Sequence, residues 1–200
     1  MKKAALIDIG NVILLLDFET SLARLVPPEL ADPEGRIQSL LERKDELESG
    51  VLKDDEFVAW ASRKLQFTGP KDDFLTAWND IFTLNTAMAE TLRDLKSRGV
   101  RLILFSNTNQ MHVDYFTSAF PEVFGLFEGS VFSHEVGANK PDPAIFQHAL
   151  DKYKLEAAET LYIDDLPENI TTGLQMGFSS WRYSPESHEA MTRWLVSMLD

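Results

Sequence analysis

Short apolar runs that end in polar residues constrain this chain more than any other feature. Ala4-Ala5-Leu6-Ile7 runs into Asp8, and Val100-Arg101-Leu102-Ile103-Leu104-Phe105 runs into Ser106-Asn107-Thr108. Thr160-Leu161-Tyr162-Ile163 runs into Asp164-Asp165, and Val131-Phe132 and Phe178-Ser179-Ser180-Trp181 are two further runs. None alternates strictly between apolar and polar, as a strand with one wet face would. Each reads as a strand buried on both faces, which points to a parallel sheet.

Amphipathic helices lie between the runs. One starts at Thr86 and ends at Gly99, with Met88, Leu92 and Leu95 on one face. A second spans Pro143 to about Tyr153, with proline in its first turn. A third spans Pro167 to about Met176 and is closed by Gly177. The last places Met191, Trp194, Leu195 and Met198 at helical spacing. Strands alternating with helices predict an α/β fold, a doubly wound parallel sheet. From about Phe18 to Asn85 the alternation stops, and the segment reads as helices only. Ile37, Leu40, Leu41 and Leu47 form one stripe, and Phe57, Trp60, Ala61 and Leu65 a second. Phe74, Leu75, Trp78, Ile81 and Phe82 form the third. The expected organisation is an α/β core of residues 1–17 and 86–200 with a helical cap, 18–85, inserted after the first strand. A chain of 200 residues accommodates one such domain with its insert.

Composition removes several classes of function. The 32 acidic and 19 basic residues give a formal net charge of −13. Such a surface repels phosphate backbones, so no nucleic-acid partner is expected, although one local cation suffices to hold one small phosphate ester. The chain has no cysteine, which excludes disulfides, thiolate metal sites and cysteine nucleophiles. Met1-Lys2-Lys3 and the apolar residues after it look like a leader, but Asp8 and Asn11 interrupt the apolar stretch and no Ala-x-Ala pattern follows. No run approaches the length of a spanning helix. The expectation is a cytoplasmic protein without membrane contact, a monomer or weak homodimer.

Ligands of open α/β sheets sit at the carboxyl ends of the strands. Asp8, Ser106 and Asp164-Asp165 would therefore converge at one sheet edge, with the loop Gly137-Ala138-Asn139-Lys140-Pro141-Asp142-Pro143 delivering a lysine beside them. Three carboxylates so close raise one another's pKa, and Lys140 offsets one charge only. An oxygen-seeking dication such as Mg2+ resolves the rest. That set suits phosphoryl transfer. The metal and Lys140 would neutralise phosphate oxygens, while the Ser106 hydroxyl and the amides of Asn107 and Thr108 donate to them. Asp8 is the candidate nucleophile, forming an aspartyl-phosphate that water hydrolyses.

Asp8-Ile9-Gly10-Asn11-Val12, Ser106-Asn107, Lys140-Pro141-Asp142 and Asp164-Asp165, in that order, resemble the four motifs of the haloacid dehalogenase-like hydrolases. The resemblance covers essentially the whole chain. Within that superfamily, Asp8-Ile9-Gly10-Asn11-Val12, the Ser106-Asn107-Thr108-Asn109 stretch with His112, and Lys140-Pro141-Asp142 are similar to the bacterial glucose-1-phosphate phosphatase group. The resemblance implies a Mg2+-dependent phosphatase of small phosphate monoesters, most of all sugar phosphates such as glucose 1-phosphate. It makes Asp8 the nucleophile, Ser106 and Lys140 phosphate ligands, and the Gly10 carbonyl and Asp165 metal ligands, with Asp164 in or beside the metal shell. One departure stands out: most phosphatases of the superfamily carry a second aspartate where this chain has Gly10. Either the leaving group needs little protonation, or another group such as His112 supplies the proton, or activity is lost. A surface position on the helix after Ser106 is the ordinary reading of His112. Two alternatives remain: a haloacid dehalogenase, which would need no metal, and a non-catalytic phosphosugar-binding or interaction module.

Overall fold

The computed structural model describes residues 3–199. Met1 and Lys2 of the leader-like start, and Asp200 at the end of the expected core, lie outside the described residues. Five strands form one parallel sheet: β1 (Ala4–Ile7), β4 (Arg101–Ser106), β5 (Gly129–Phe132), β6 (Thr160–Asp164) and β7 (Ser179–Arg182), in the order β5-β4-β1-β6-β7. β1 is central, and its Leu6 pairs with Ile103 on one side and Tyr162 on the other. The chain builds outward from β1 through β4 to β5, then returns to lay β6 on the other side of β1. The order therefore reverses at β1 and β6, where a crevice opens at the carboxyl ends of such sheets.

The missing alternation in the runs follows from burial on both faces. Ala5, Ile7, Leu102, Leu104, Leu161 and Ile163 enter one core with Met88 and Leu92 of the helix Thr86–Ser97 and Met191 and Leu195 of the helix His188–Leu199. Their neighbours Ala4, Leu6, Ile103, Phe105 and Tyr162 enter a second core with Ile145, Phe146 and Ala149 of the helix Pro143–Tyr153. Buried apolar residues from Leu22 to Trp78 form a third cluster of their own.

The inserted segment departs from the all-helical reading. The helix Lys71–Asn79 stops short of Phe82, and Phe82–Leu84 is a strand, β3, paired antiparallel with β2 (Leu14–Leu16). Thr83 is exposed between half-buried Phe82 and Leu84, a period of two that a helical stripe cannot absorb. This ribbon stands directly after β1 because the chain doubles back at Asn11, whose φ of 52° allows the turn. The first stripe is also broken. Pro33–Gln38, the 3₁₀ turn Ser39–Arg43 and Lys44–Glu48 follow one another with changing pitch, and Leu41 ends up 54% exposed. Two strands sit one residue later than their runs: Val100 precedes β4, and Phe178 precedes β7. No helix among the described residues is long and apolar enough to cross a membrane.

Candidate active site

The strand ends meet as the sheet order requires. Carboxylate oxygens of Asp8, Asp164 and Asp165 lie within 4.8 Å of one another. Lys140 sits among them, buried, with its Nζ 2.9 Å from Asp8 Oδ1 and 2.6 Å from Asp164 Oδ2. The third Nζ bond goes to the Phe105 carbonyl at 2.8 Å. All three protons of the ammonium are thereby committed, so Lys140 holds the carboxylates in place rather than presenting a free donor. Its own loop is clamped reciprocally: Asn107 Nδ2 donates to the Lys140 carbonyl at 2.9 Å, and the Lys140 amide donates to Asn107 Oδ1 at 2.8 Å.

The three aspartates have different surroundings. Asp164 is fully buried and accepts four hydrogen bonds. Oδ2 takes Lys140 and the Tyr162 hydroxyl (2.6 Å), and Oδ1 takes the Leu166 amide (2.9 Å) and Asn169 Nδ2 (3.0 Å). Burial works to raise its pKa, but the Lys140 charge and these donors outweigh it and hold the carboxyl below the usual range. The Asp165 side chain accepts from Asn11 Nδ2 at 3.1 Å and from its own backbone amide; burial pushes it up despite those bonds, with the Asp164 charge adding to the rise. Burial pushes Asp8 up to about 7. Lys140 opposes the shift, while Asp164 and Asp165 add to it.

Three carboxylates against one ammonium leave two negative charges in excess, and the oxygen donors are hard ones. Both facts fit a divalent cation of the Mg2+ type. The spent lone pairs of Asp164 leave Asp8 and Asp165 as the carboxylates with capacity for it, beside Gly10, which lines the same cavity.

That cavity, about 260 Å³, opens over Asp8 between the core and the inserted segment. Ser106 lines it, and its hydroxyl makes only a long 3.4 Å contact to the Asn107 carbonyl, so it is available to a ligand. The expectation for the Thr108 amide is not met, because it donates to Ser133 Oγ at 3.0 Å. The Asn107 side chain is likewise committed to the Lys140 loop, which leaves its backbone amide as the part able to meet a ligand.

His112 is not on the surface; it is 7% exposed. Asn109 Oδ1 accepts from the His112 amide, so Asn109 Nδ2 is the donor to His112 Nδ1 (3.1 Å). The ring proton therefore sits on Nε2, which donates to the Trp78 carbonyl at 3.2 Å. Burial lowers its pKa to about 4, and its ring stacks on Trp78 with centroids 5.1 Å apart. The residue ties the core to the insert as a neutral imidazole with both nitrogens occupied. Nothing in that arrangement supplies a proton.

Sequence reasoning missed Tyr162, Asn169, Asn11 and the pair Lys44 and Glu48. Tyr162 carried a signal: it stands two residues before Asp164 on one strand, hence on the same face. The i,i+4 pair Lys44 and Glu48, with Nζ and Oε2 3.9 Å apart, lines the cavity from the inserted segment. An ordinary solvated helix face has the same spelling.

A sequence model of the haloacid dehalogenase-like hydrolases matches residues 2–177. A D-ribitol-5-phosphate phosphatase of Bacteroides thetaiotaomicron is 26% identical over 198 residues, covering 94% of this chain and 93% of its own. A sesquiterpene phosphatase of Aspergillus oryzae is 30% identical over 98 residues, covering 45% of each chain. Among solved structures, a Bacteroides thetaiotaomicron enzyme of the family, in complex with magnesium and inorganic phosphate, superposes with a TM-score of 0.81 at 23% identity. That match covers 92% of this chain and 96% of the other.

Proposed function

The chain belongs to the haloacid dehalogenase-like hydrolases, and we propose that it is a Mg2+-dependent phosphatase of a small polyol or sugar phosphate, working through an aspartyl-phosphate on Asp8. One observation carries the reading: an aspartate at the reversal point of the sheet, held by a buried lysine and grouped with two more carboxylates at the floor of a cavity. A bound Mg2+ would be held by Asp8, Asp165 and the Gly10 carbonyl. It would supply positive charge that keeps Asp8 ionised and draws the phosphate into line.

The chain's own residues do the rest. Lys140 fixes Asp8 Oδ1, leaving Oδ2 to attack phosphorus. As that bond forms, the ester bond breaks and the alcohol departs. Water then attacks the phosphorus of the aspartyl-phosphate and frees Asp8 and inorganic phosphate. The Ser106 hydroxyl and the Asn107 amide donate to the phosphate oxygens. Asp164 is a frame for Lys140 and the helix Pro167–Gln175. Residues 18–85 act as a cap that excludes water and contacts the leaving group. A dehalogenase is the weaker reading, because attack on carbon gives three gathered carboxylates no role.

The D-ribitol-5-phosphate phosphatase supports a polyol phosphate over glucose 1-phosphate as the first substrate to try. A second reading has its own observation. An apolar cavity of about 130 Å³, lined by Leu22, Ile37, Leu40, Phe57 and Trp78, adjoins the site at Phe18, Lys44, Glu48 and His112. An isoprenoid monophosphate would fill it, in keeping with the relative from Aspergillus oryzae.

The test is phosphate release from ribitol 5-phosphate, glucose 1-phosphate and farnesyl phosphate, with Mg2+ and with EDTA, by the wild type and by Asp8→Asn. Release that needs Mg2+ and disappears in the variant is expected. Undiminished release by Asp8→Asn removes the mechanism, and the preferred ester decides between the polyol and isoprenoid readings.

A further inference from the structure

An alkyl phosphate does not give up its alcohol readily unless the departing oxygen receives a proton. Six titratable side chains line the cavity: Asp8, Lys44, Glu48, His112, Lys140 and Asp165. Asp8 is the attacking group and Asp165 a metal ligand in the reading above. Lys140 has all three protons committed to Asp8, Asp164 and the Phe105 carbonyl. His112 is neutral, with both nitrogens bonded to Asn109 and Trp78. Lys44 is half exposed and faces Glu48. Glu48 remains: a carboxyl only 13% exposed, whose one ion-pair partner among the described residues stands 3.9 Å away, outside hydrogen-bond range.

Its placement is fixed from both sides. Asn139, the residue before Lys140, donates through Nδ2 to the Asp45 carbonyl at 3.3 Å, which ties the helix Lys44–Glu48 to the loop that holds the site lysine. Two residues past Glu48, Gly50 packs its backbone on the core at His134. A Cβ there would stand 2.4 Å from the His134 carbonyl oxygen, and the φ of 73° also favours glycine. Glu48 is thus held on the wall of the cavity that Asp8 also lines, by a segment tied to the core at both ends.

We propose that Glu48 is the catalytic acid that protonates the leaving oxygen, the task for which Gly10 provides no side chain; this rests on the phosphatase reading. The Asp8 oxygen bonds to phosphorus while the bond to the ester oxygen breaks, and the Glu48 proton passes to that oxygen as the alcohol leaves. The Glu48 carboxylate then takes a proton from the water that attacks the aspartyl-phosphate. The bond from Asp8 to phosphorus breaks, and inorganic phosphate departs. Burial pushes the Glu48 carboxyl up to about 7, so that it carries a proton to give near neutrality. Lys44 and Asp45 on its own helix, and Asp8 and Lys140 from the core, are the charges that face it.

The experiment compares kcat/KM of the wild type and Glu48→Gln with Mg2+ present. One ester is alkyl (ribitol 5-phosphate) and the other, p-nitrophenyl phosphate, has a leaving group that needs no proton. Because kcat/KM reports the steps through departure of the alcohol, the variant should lose on the order of 10²–10³-fold on the alkyl ester and less than about tenfold on the aryl ester. Glutamine keeps the shape, and a thermal melt within a few degrees of the wild type certifies the fold. An equal loss on both esters, or no loss on either, overturns the proposal. The phosphatase reading fails separately, and takes this proposal with it, if the wild type releases phosphate from neither ester.

Discussion

Lys140→Met tests the electrostatic account of the site without any substrate. The lysine side chain is 1% exposed and joins two carboxylates and a carbonyl. Methionine fills the same volume but leaves those acceptors unpaired. Breaking a buried pair in this way costs about 3–5 kcal/mol. Asp164 keeps three other donors, Tyr162, Leu166 and Asn169, and stays ionised. Asp8 loses its only side-chain partner among the described residues, so the penalty falls mainly on it. With the lysine present, burial already pushes Asp8 up to about 7; without it the carboxyl rises further. A folded pKa raised above the unfolded one means that the native state binds more protons, so stability falls as pH rises from about 4 through the folded pKa. In EDTA, urea titration should give a loss of about 3–5 kcal/mol at pH 8, or roughly 10 °C in Tm for a chain of this length. At pH 5 a protonated Asp8 escapes most of its share, leaving the lost bond to Asp164, about 1.5–3 kcal/mol. A loss below about 1 kcal/mol at pH 8, or one equal at the two pH values, refutes the reasoning.

Burial holds His112 at about 4 against 6.5 when unfolded, so its contribution is complete above pH 6.5 and is lost as pH falls toward 4. His112→Gln should flatten the acid side of the stability curve by about 3 kcal/mol over that window, measured by urea midpoints from pH 7 to 4. Tyr162→Phe removes the 2.6 Å donor to Asp164 and should cost about 1.5–3 kcal/mol in urea while leaving Mg2+ affinity, measured calorimetrically, within about threefold. In Gly10→Asp the new Cβ meets the movable Leu16 Cδ1 at 3.2 Å, so the fold should survive. The added carboxyl beside Asp8 should raise alkyl-ester turnover in the Glu48→Gln background by about tenfold or more; phosphate release on ribitol 5-phosphate measures it.

The parallel sheet was legible because burial on both faces leaves its mark in the three central strands, β1, β4 and β6: Leu102-Ile103-Leu104-Phe105 can face two cores only if nothing in the run is polar. The β2–β3 ribbon was not. Leu14-Leu15-Leu16 continues the apolar stretch that includes β1, and only the turn at Asn11 separates them. Phe82 fits the spacing of the preceding stripe, so a period of 3.6 claimed a residue that belongs to a period of two. The strand-end residues Asp8, Ser106 and Asp164 were legible for a topological reason: parallel strands deliver their carboxyl ends to one edge. His112 was misread because a lone histidine carries no sign of whether Asn109 and a carbonyl from a distant helix will enclose it.

What sequence cannot apportion is the work of chemically identical side chains. Asp8, Asp164 and Asp165 are three aspartates at two adjacent strand ends, and spacing alone gives each the same claim on a metal. Their roles are divided by the donors that reach them. Four donors saturate Asp164 and make it structure. A single lysine contact leaves Asp8 held but still able to react. One side-chain amide leaves Asp165 oriented with lone pairs to spare. The same accounting, applied across the cavity, separates Glu48 from His112: the histidine has spent both nitrogens, and the glutamate has spent neither oxygen within hydrogen-bond distance. Unspent hydrogen-bonding capacity at a site this buried is costly unless a ligand takes it up. Asp165, Ser106 and Glu48, which line the cavity and keep hydrogen-bonding capacity to spare, are therefore groups on which a phosphate ester and its cation should settle.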